Sequence, residues 1–197
     1  MKKTCLNIAL ILLTASACAG HHEKDEATAT GEEAMMQAMQ AAITPGEAHK
    51  MLADSVGDYD AQMQMWTGPG AQAMETTMTV KRHMDLDGRV LVERWKGSVM
   101  GAPFEGASRT GYDNIKKRYW STWTDNMSTG LLVMYGDWDK MKEQMQLKGT
   151  SVHPMTGKEY STRAVGTYPA PGKETVTMYE DHGQGEFKSM ALTLTRR

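Results

Sequence analysis

From Gly57 to Arg197 the chain is a succession of ten short strand-like runs, cut at near-regular intervals by glycine, aspartate and asparagine. Within a run, apolar and polar residues alternate: Tyr59, Ala61, Met63 and Met65 with Asp58, Asp60, Gln62 and Gln64, then Met74, Thr76, Met78, Val80, Arg82 and Met84 with the residues between them. A period of two sends the two sets to opposite faces of a strand. Strands are expected at 57–65, 73–84, 89–99, from Phe104, and at 115–124, 130–135, 141–152, 160–168, 174–180 and 186–195. Asp87-Gly88, GDWD (136–139), HPMTGK (153–158), PAPGK (169–173) and DHGQG (181–185) read as turns between them. Links this short leave no room for crossover helices, so consecutive strands must be antiparallel neighbours. A long meander hides its edges by closing on itself or by packing as a sandwich. Uniform order and long strands favour closure, and the expected fold is all-β: an antiparallel up-and-down barrel of about ten strands over residues 57–197.

The segment ahead of the strands has three parts. Residues 1–17 read as an export signal, with Lys2 and Lys3, an apolar stretch from Leu6 to Leu13 and small residues from Thr14 to Ala17. The apolar stretch is too short to span a bilayer as a helix. Cys18 follows, and two routes fit: acylation of Cys18 as the first residue of a lipoprotein, or ordinary cleavage before it. Cys5 leaves with the signal, so Cys18 would stand alone in an oxidising compartment, and lipidation accounts for it. The expected location is therefore the cell envelope, periplasm-facing and lipid-anchored to the outer membrane, with a soluble periplasmic or secreted protein as the alternative. Residues 18–31 are polar and aperiodic and read as a flexible tether.

Residues 32–56 read as helical. Ala34, Met35, Ala38, Met39 and Ala42 recur at helical spacing up to Ile43. TPGEAHKML then starts a second short helix, with Thr44 as cap, Pro45 at the first helical position and Glu47 completing a capping box. Helices ahead of a barrel are expected to lid one end of it.

The formal charge of −2 becomes −4 when Lys2 and Lys3 leave with the signal, which argues against a nucleic-acid partner. KRYW, at Lys117 to Trp120, reads as a solvated strand face. Runs such as DYDAQMQMW carry no continuous apolar band for lipid, so a membrane-spanning barrel is not expected.

Eighteen methionines supply flexible apolar filling, and Met63, Met65, Met78, Met134, Met145, Met178 and Met190 share the apolar strand phase. They serve either as plain core or as the lining of a deformable cavity for a small apolar or amphipathic ligand. Trp120 and Trp123, three apart in one strand, should face opposite sides, and one of them, with Trp95 or Trp66, would stack on a ligand at the mouth. Charges within the strand phases are the sharper clue: Arg82 with Met78 and Val80, Glu93 with Leu91 and Trp95, and Arg109 with Ala107. An inward charge must be paired, so Glu93 with Arg109 is a candidate couple, against a solvated outer pair. Asp125, beside Ser128 and Thr129, is a candidate ligand contact or base, and equally a turn carboxylate bonded to its own backbone.

Nothing identifies a catalytic residue. His49, His83, His153 and His182 form no HxxxH, HxH or HExxH set, and there is no GxSxG, P-loop or dinucleotide fingerprint, so no metal and no cofactor is expected. The favoured reading is a non-enzymatic ligand-binding barrel of the envelope, partnered by a membrane through its anchor. The alternatives are an enzyme using carboxylate or histidine groups at the barrel mouth, and a structural or interaction domain.

AHKMLADSVGDY, DGRVLVERWKGSVMGAPFEG, GYDNIKKRYWSTWTDNMSTG, GDWD and MALTLTRR together resemble the bacterial DUF1579 family of uncharacterised proteins, over His49 to Arg197. The resemblance implies a calycin-type, lipocalin-like barrel and no agreed active site. The family's recurrent positions fall here on Gly57, Gly106, Gly111, Tyr112, Asp113, Trp123, Asp125 and Gly136. No histidine occupies a recognisable proximal position for a nitrobindin-like haem.

Overall fold

The computed structural model describes residues 22–197, with side chains from residue 30 onward. The export signal and Cys18 lie outside the described residues. Helix α1 spans His22–Ile43 and α2 spans Glu47–Ala53. The first helix thus starts at His22 and not at Glu32, and takes in most of the segment read as a tether. Its glutamates and alanines are good helix formers, and one interior glycine, Gly31, costs only about 1 kcal/mol. No helix among the described residues is long and apolar enough to cross a membrane.

The cap of α2 differs from the expected one. Gly46, not Thr44, is the N-cap, and His49 returns the bond: its Nδ1 accepts the Gly46 N–H at 3.1 Å, while the Gly46 carbonyl accepts from His49 and Lys50. The register shifts because His49 is buried, with its ring edge-on to Tyr112 at 6.0 Å.

Ten strands follow: β1 Gly57–Met65, β2 Met74–Asp85, β3 Val90–Val99, β4 Ala102–Asp113, β5 Arg118–Asp125, β6 Leu132–Asp139, β7 Gln144–Val152, β8 Glu159–Ala170, β9 Lys173–Asp181 and β10 Glu186–Arg196. Each pairs antiparallel with its neighbour, and β1 also pairs with β10, so the sheet closes as a barrel and has no edge. The sandwich alternative is excluded.

Two hairpins depart from the sequence reading for one reason. Asp113 Oδ1 accepts the N–H groups of Ile115 and Lys116, so the turn reaches Lys117 and β5 starts at Arg118, leaving Ile115 exposed. Asp139 Oδ1 likewise accepts from Met141 and Lys142, which carries β6 through GDWD and moves the turn to residues 140–143. Trp138, read as a turn residue, instead pairs with the buried Met145 on the inner face. Both turns end on a left-handed residue, Lys117 and Glu143.

The inner face carries two apolar clusters. Tyr59, Ala61, Met63, Met78, Val80, Trp95, Val99, Phe104, Leu192 and Leu194 line the wall formed by β1–β4 and β10. Leu52 of α2 packs with Leu91, Tyr119 and Met145, so α2 covers the end of the barrel where the β2–β3, β4–β5, β6–β7 and β8–β9 hairpins lie. Arg196 ties this end together, donating to the Tyr59 hydroxyl at 2.9 Å and to the Asp54 carbonyl at 2.5 Å.

Candidate functional site

The inner wall is filled unevenly. Midway along β1, β2 and β10 the inward side chains Tyr59, Ala61, Met63, Met78 and Leu192 are buried, Val80 and Leu194 completely. Along β5 to β9 the inward phase is mixed: Tyr119, Met134, Met145, Thr162 and Glu174 are buried, whereas Ser121, Trp123, Leu147, Ala164, Val176 and Met178 are only partly so. Side chains turned into a closed barrel meet solvent only from within or through its ends, so these six positions are where the lumen is least tightly packed. The connections at the end opposite α2 form its mouth. Two shallow depressions on the outer wall, about 480 Å³ beside Tyr135 and about 390 Å³ beside Thr79, are open to bulk solvent and enclose no such space.

At the covered end the lumen holds a buried ionic cluster. Arg82 meets Glu93 of the adjacent β3 at 2.5 Å through Nε, an ion contact rather than a directed hydrogen bond, and donates through an Nη to Glu174 of β9 at 2.6 Å. The Tyr59 ring lies 4.7 Å from the guanidinium. Burial opposes the charge of Arg82, but the two carboxylates outweigh it and hold its pKa above normal. Burial raises the pKa of Glu174, Arg82 opposes the rise, and Glu93 adds to it. Burial, then Glu174, raises Tyr168, whose ring packs against Trp138. Both glutamate side chains keep 12% exposure.

The aromatic side chains form the next layer. Trp95 is buried and meets Trp123 edge-on at 5.8 Å, and Phe104 stacks on Trp123 at 6.4 Å. Trp123 lies flat across the strand over Gly106, where an added Cβ would stand 2.6 Å from the ring. The indole N–H of Trp123 donates to Asp125 Oδ2 at 2.7 Å. The indole N–H of Trp95 is buried and has no hydrogen-bond acceptor among the described residues.

Of the residues singled out from the sequence, Glu93, Trp95, Trp123 and Asp125 face inward, and Arg109 and Trp120 do not. Arg109 is on the outer face, half-exposed and paired with Asp85 at 3.2 Å, so the Glu93–Arg109 couple is replaced by Glu93–Arg82. Trp120 lies on the outer surface against Gly111. Asp125 is a turn carboxylate: its Oδ1 accepts the Met127 N–H, and its Oδ2 serves Trp123. Glu174 carries no such signal in the sequence: it opens a strand after a proline–glycine turn, where an exposed glutamate is the ordinary reading.

At the open mouth a second polar group assembles. His182 stacks on Tyr160 at 4.2 Å, meets His153 at 5.7 Å and Phe187 at 5.6 Å, and contacts Glu180 through Nε2 at 2.9 Å. No group of three or more histidine, cysteine, aspartate or glutamate side chains among the described residues is placed to hold a metal ion.

A closed ten-stranded antiparallel meander, with one end covered by a short helix and an ionic cluster inside, defines an up-and-down β-barrel. The crystal structure of Rv2717c from M. tuberculosis is similar in fold, with a TM-score of 0.55 and 12% identity, over 78% of this chain and 99% of that one. No curated protein matches the sequence. The chain belongs to the DUF1579 family, "Protein of unknown function (DUF1579)", whose model matches residues 44–197.

Proposed function

We propose that the protein is a lipid-anchored protein of the bacterial cell envelope that binds a small amphipathic molecule inside its barrel. One observation carries the binding reading: Ser121, Trp123, Leu147, Ala164, Val176 and Met178 face inward in a closed sheet and are only partly buried. Flexible Met178 of β9 and its β10 neighbour Met190, both only partly buried, border that space, and Trp123 offers it a ring face. Arg82, Glu93 and Glu174 give it a polar end away from the mouth. The anchor reading rests on the sequence around Cys18.

Native mass spectrometry of protein purified from its own envelope tests the binding reading: a retained small-molecule adduct supports it, and an apo mass from every mild extraction opposes it. Mass analysis of the Cys18 peptide tests the anchor, which an unmodified thiol would refute. The His182–Glu180 contact beside Tyr160 supports a second reading, acid–base chemistry at the mouth. His182→Gln would then abolish turnover of a bound compound while leaving its affinity unchanged.

A further inference from the structure

The polar end of the lumen has an unbalanced charge. Among the described residues Arg82 is the only cation acting on Glu174, and Glu93, the second carboxylate, is in contact with the same guanidinium. One positive charge therefore faces two potential negative ones, each more than nine-tenths buried as a residue. Among the described residues Tyr59, Tyr168 and Tyr119 are the other titratable groups around the cluster, from β1, β8 and β5. Arg196 on β10 is turned to the Tyr59 hydroxyl and the Asp54 carbonyl.

Burying an uncompensated charge is costly. A proton on one carboxyl would balance the cluster, and burial shifts Glu174 in that direction. A bound cation would balance it equally well, and with hydrogen bonds. An anionic head group would instead place a third negative charge beside a guanidinium already shared by two carboxylates. The unpartnered indole N–H of Trp95, two residues from Glu93 on the same face, is an independent sign that this patch is completed by a ligand.

Resting on the ligand-barrel reading above, we infer that the barrel selects amphiphiles with a cationic amine head, seated between Glu93 and Glu174, and an apolar body lying along β5 to β9. The ammonium replaces the proton that balances the two carboxylates. The tail would lie against the partly buried Leu147, Val176, Met178 and Trp123.

The test is isothermal titration of the full-length mature protein with dodecylamine, dodecanol and dodecanoate, each below its aggregation limit, repeated with Glu174→Gln. The amine is expected to bind about tenfold or more tightly than the alcohol, with the carboxylate weakest. Glu174→Gln, which keeps the acceptor oxygen for Arg82, is expected to erase that preference and leave the alcohol unchanged. Binding of the alcohol or the carboxylate as tightly as the amine would overturn the inference and leave the ligand-barrel reading standing. An amine preference that survives Glu174→Gln also overturns it. Binding of none of the three would remove the ligand-barrel reading itself. If the variant does not fold, the ranking with the native protein decides.

Discussion

Arg82 of β2 donates to Glu174 of β9 at 2.6 Å across the lumen, although β1 and β10 stand between those strands in the sheet. The bond spans the barrel rather than following a ladder, so it ties together two stretches of wall 92 residues apart in sequence. Its charge count determines how the members of the cluster respond to substitution.

Removing the cation should be far worse than neutralising one anion. Arg82→Met leaves Glu93 and Glu174 buried together and should cost about 3–5 kcal/mol. Glu174→Gln leaves Arg82 paired with Glu93 and should be neutral or stabilising at neutral pH. Urea unfolding monitored by tryptophan fluorescence measures both, and equal losses would contradict this ordering.

The same carboxyl predicts a pH dependence. The folded-state pKa of Glu174 lies above its ordinary value of 4.5, so the folded state holds this proton more tightly than the unfolded chain does. Its contribution is fully present below 4.5 and is lost as pH rises through the folded value. Glu174→Gln should therefore gain on the native protein as pH rises from 4.5 and show no difference in this contribution below it. A stability difference independent of pH would contradict the assignment.

His49 titrates in the opposite sense. Burial lowers its pKa below 6.5, only partly offset by its bond to the Tyr112 backbone. The neutral ring's contribution is present above 6.5 and is lost as pH falls through the folded value. Acidification should loosen α2 from the barrel end, seen as faster amide exchange at Met51 and Leu52. His49→Asn, which offers an amide to Gly46, should lack this pH-dependent step.

Gly106 is needed because Trp123 lies on it. Gly106→Ala places a Cβ 2.6 Å from the ring, and moving the ring strains its bond to Asp125. The expected loss is about 1–3 kcal/mol, with a changed near-ultraviolet circular dichroism spectrum. A native spectrum with unchanged stability would show that the ring has room to shift.

How far the sequence reaches into this site depends on which side chains mark a face. The period-two pattern and turn chemistry identify ten strands and their closure, because each run alternates and each link is too short to cross the sheet. Glu93 is legible as inward because Leu91 and Trp95 share its phase. In β4 the inner phase is disguised: Gly106 and Ser108 face inward beneath Trp123, so Ala107 looks like the apolar side and draws Arg109 with it. Trp120 and Trp123 are legible as facing opposite ways, but each covers a glycine, Gly111 or Gly106, and that pattern does not say which faces in. Glu174 is out of reach of local pattern, since only closure brings it to Arg82.

The account stands or falls on open space beside β5 to β9. Ala164, inward on β8 between Leu147 and Met178, is the small residue where an indole would fill it. Equilibrium binding of an apolar naphthylamine dye to the native protein and to Ala164→Trp, with thermal unfolding of both, is the most direct measurement. The native protein is expected to bind one dye molecule with quenching of tryptophan emission, and Ala164→Trp to lose that binding while folding normally. No binding to the native protein, or undiminished binding by a folded Ala164→Trp, would contradict the account.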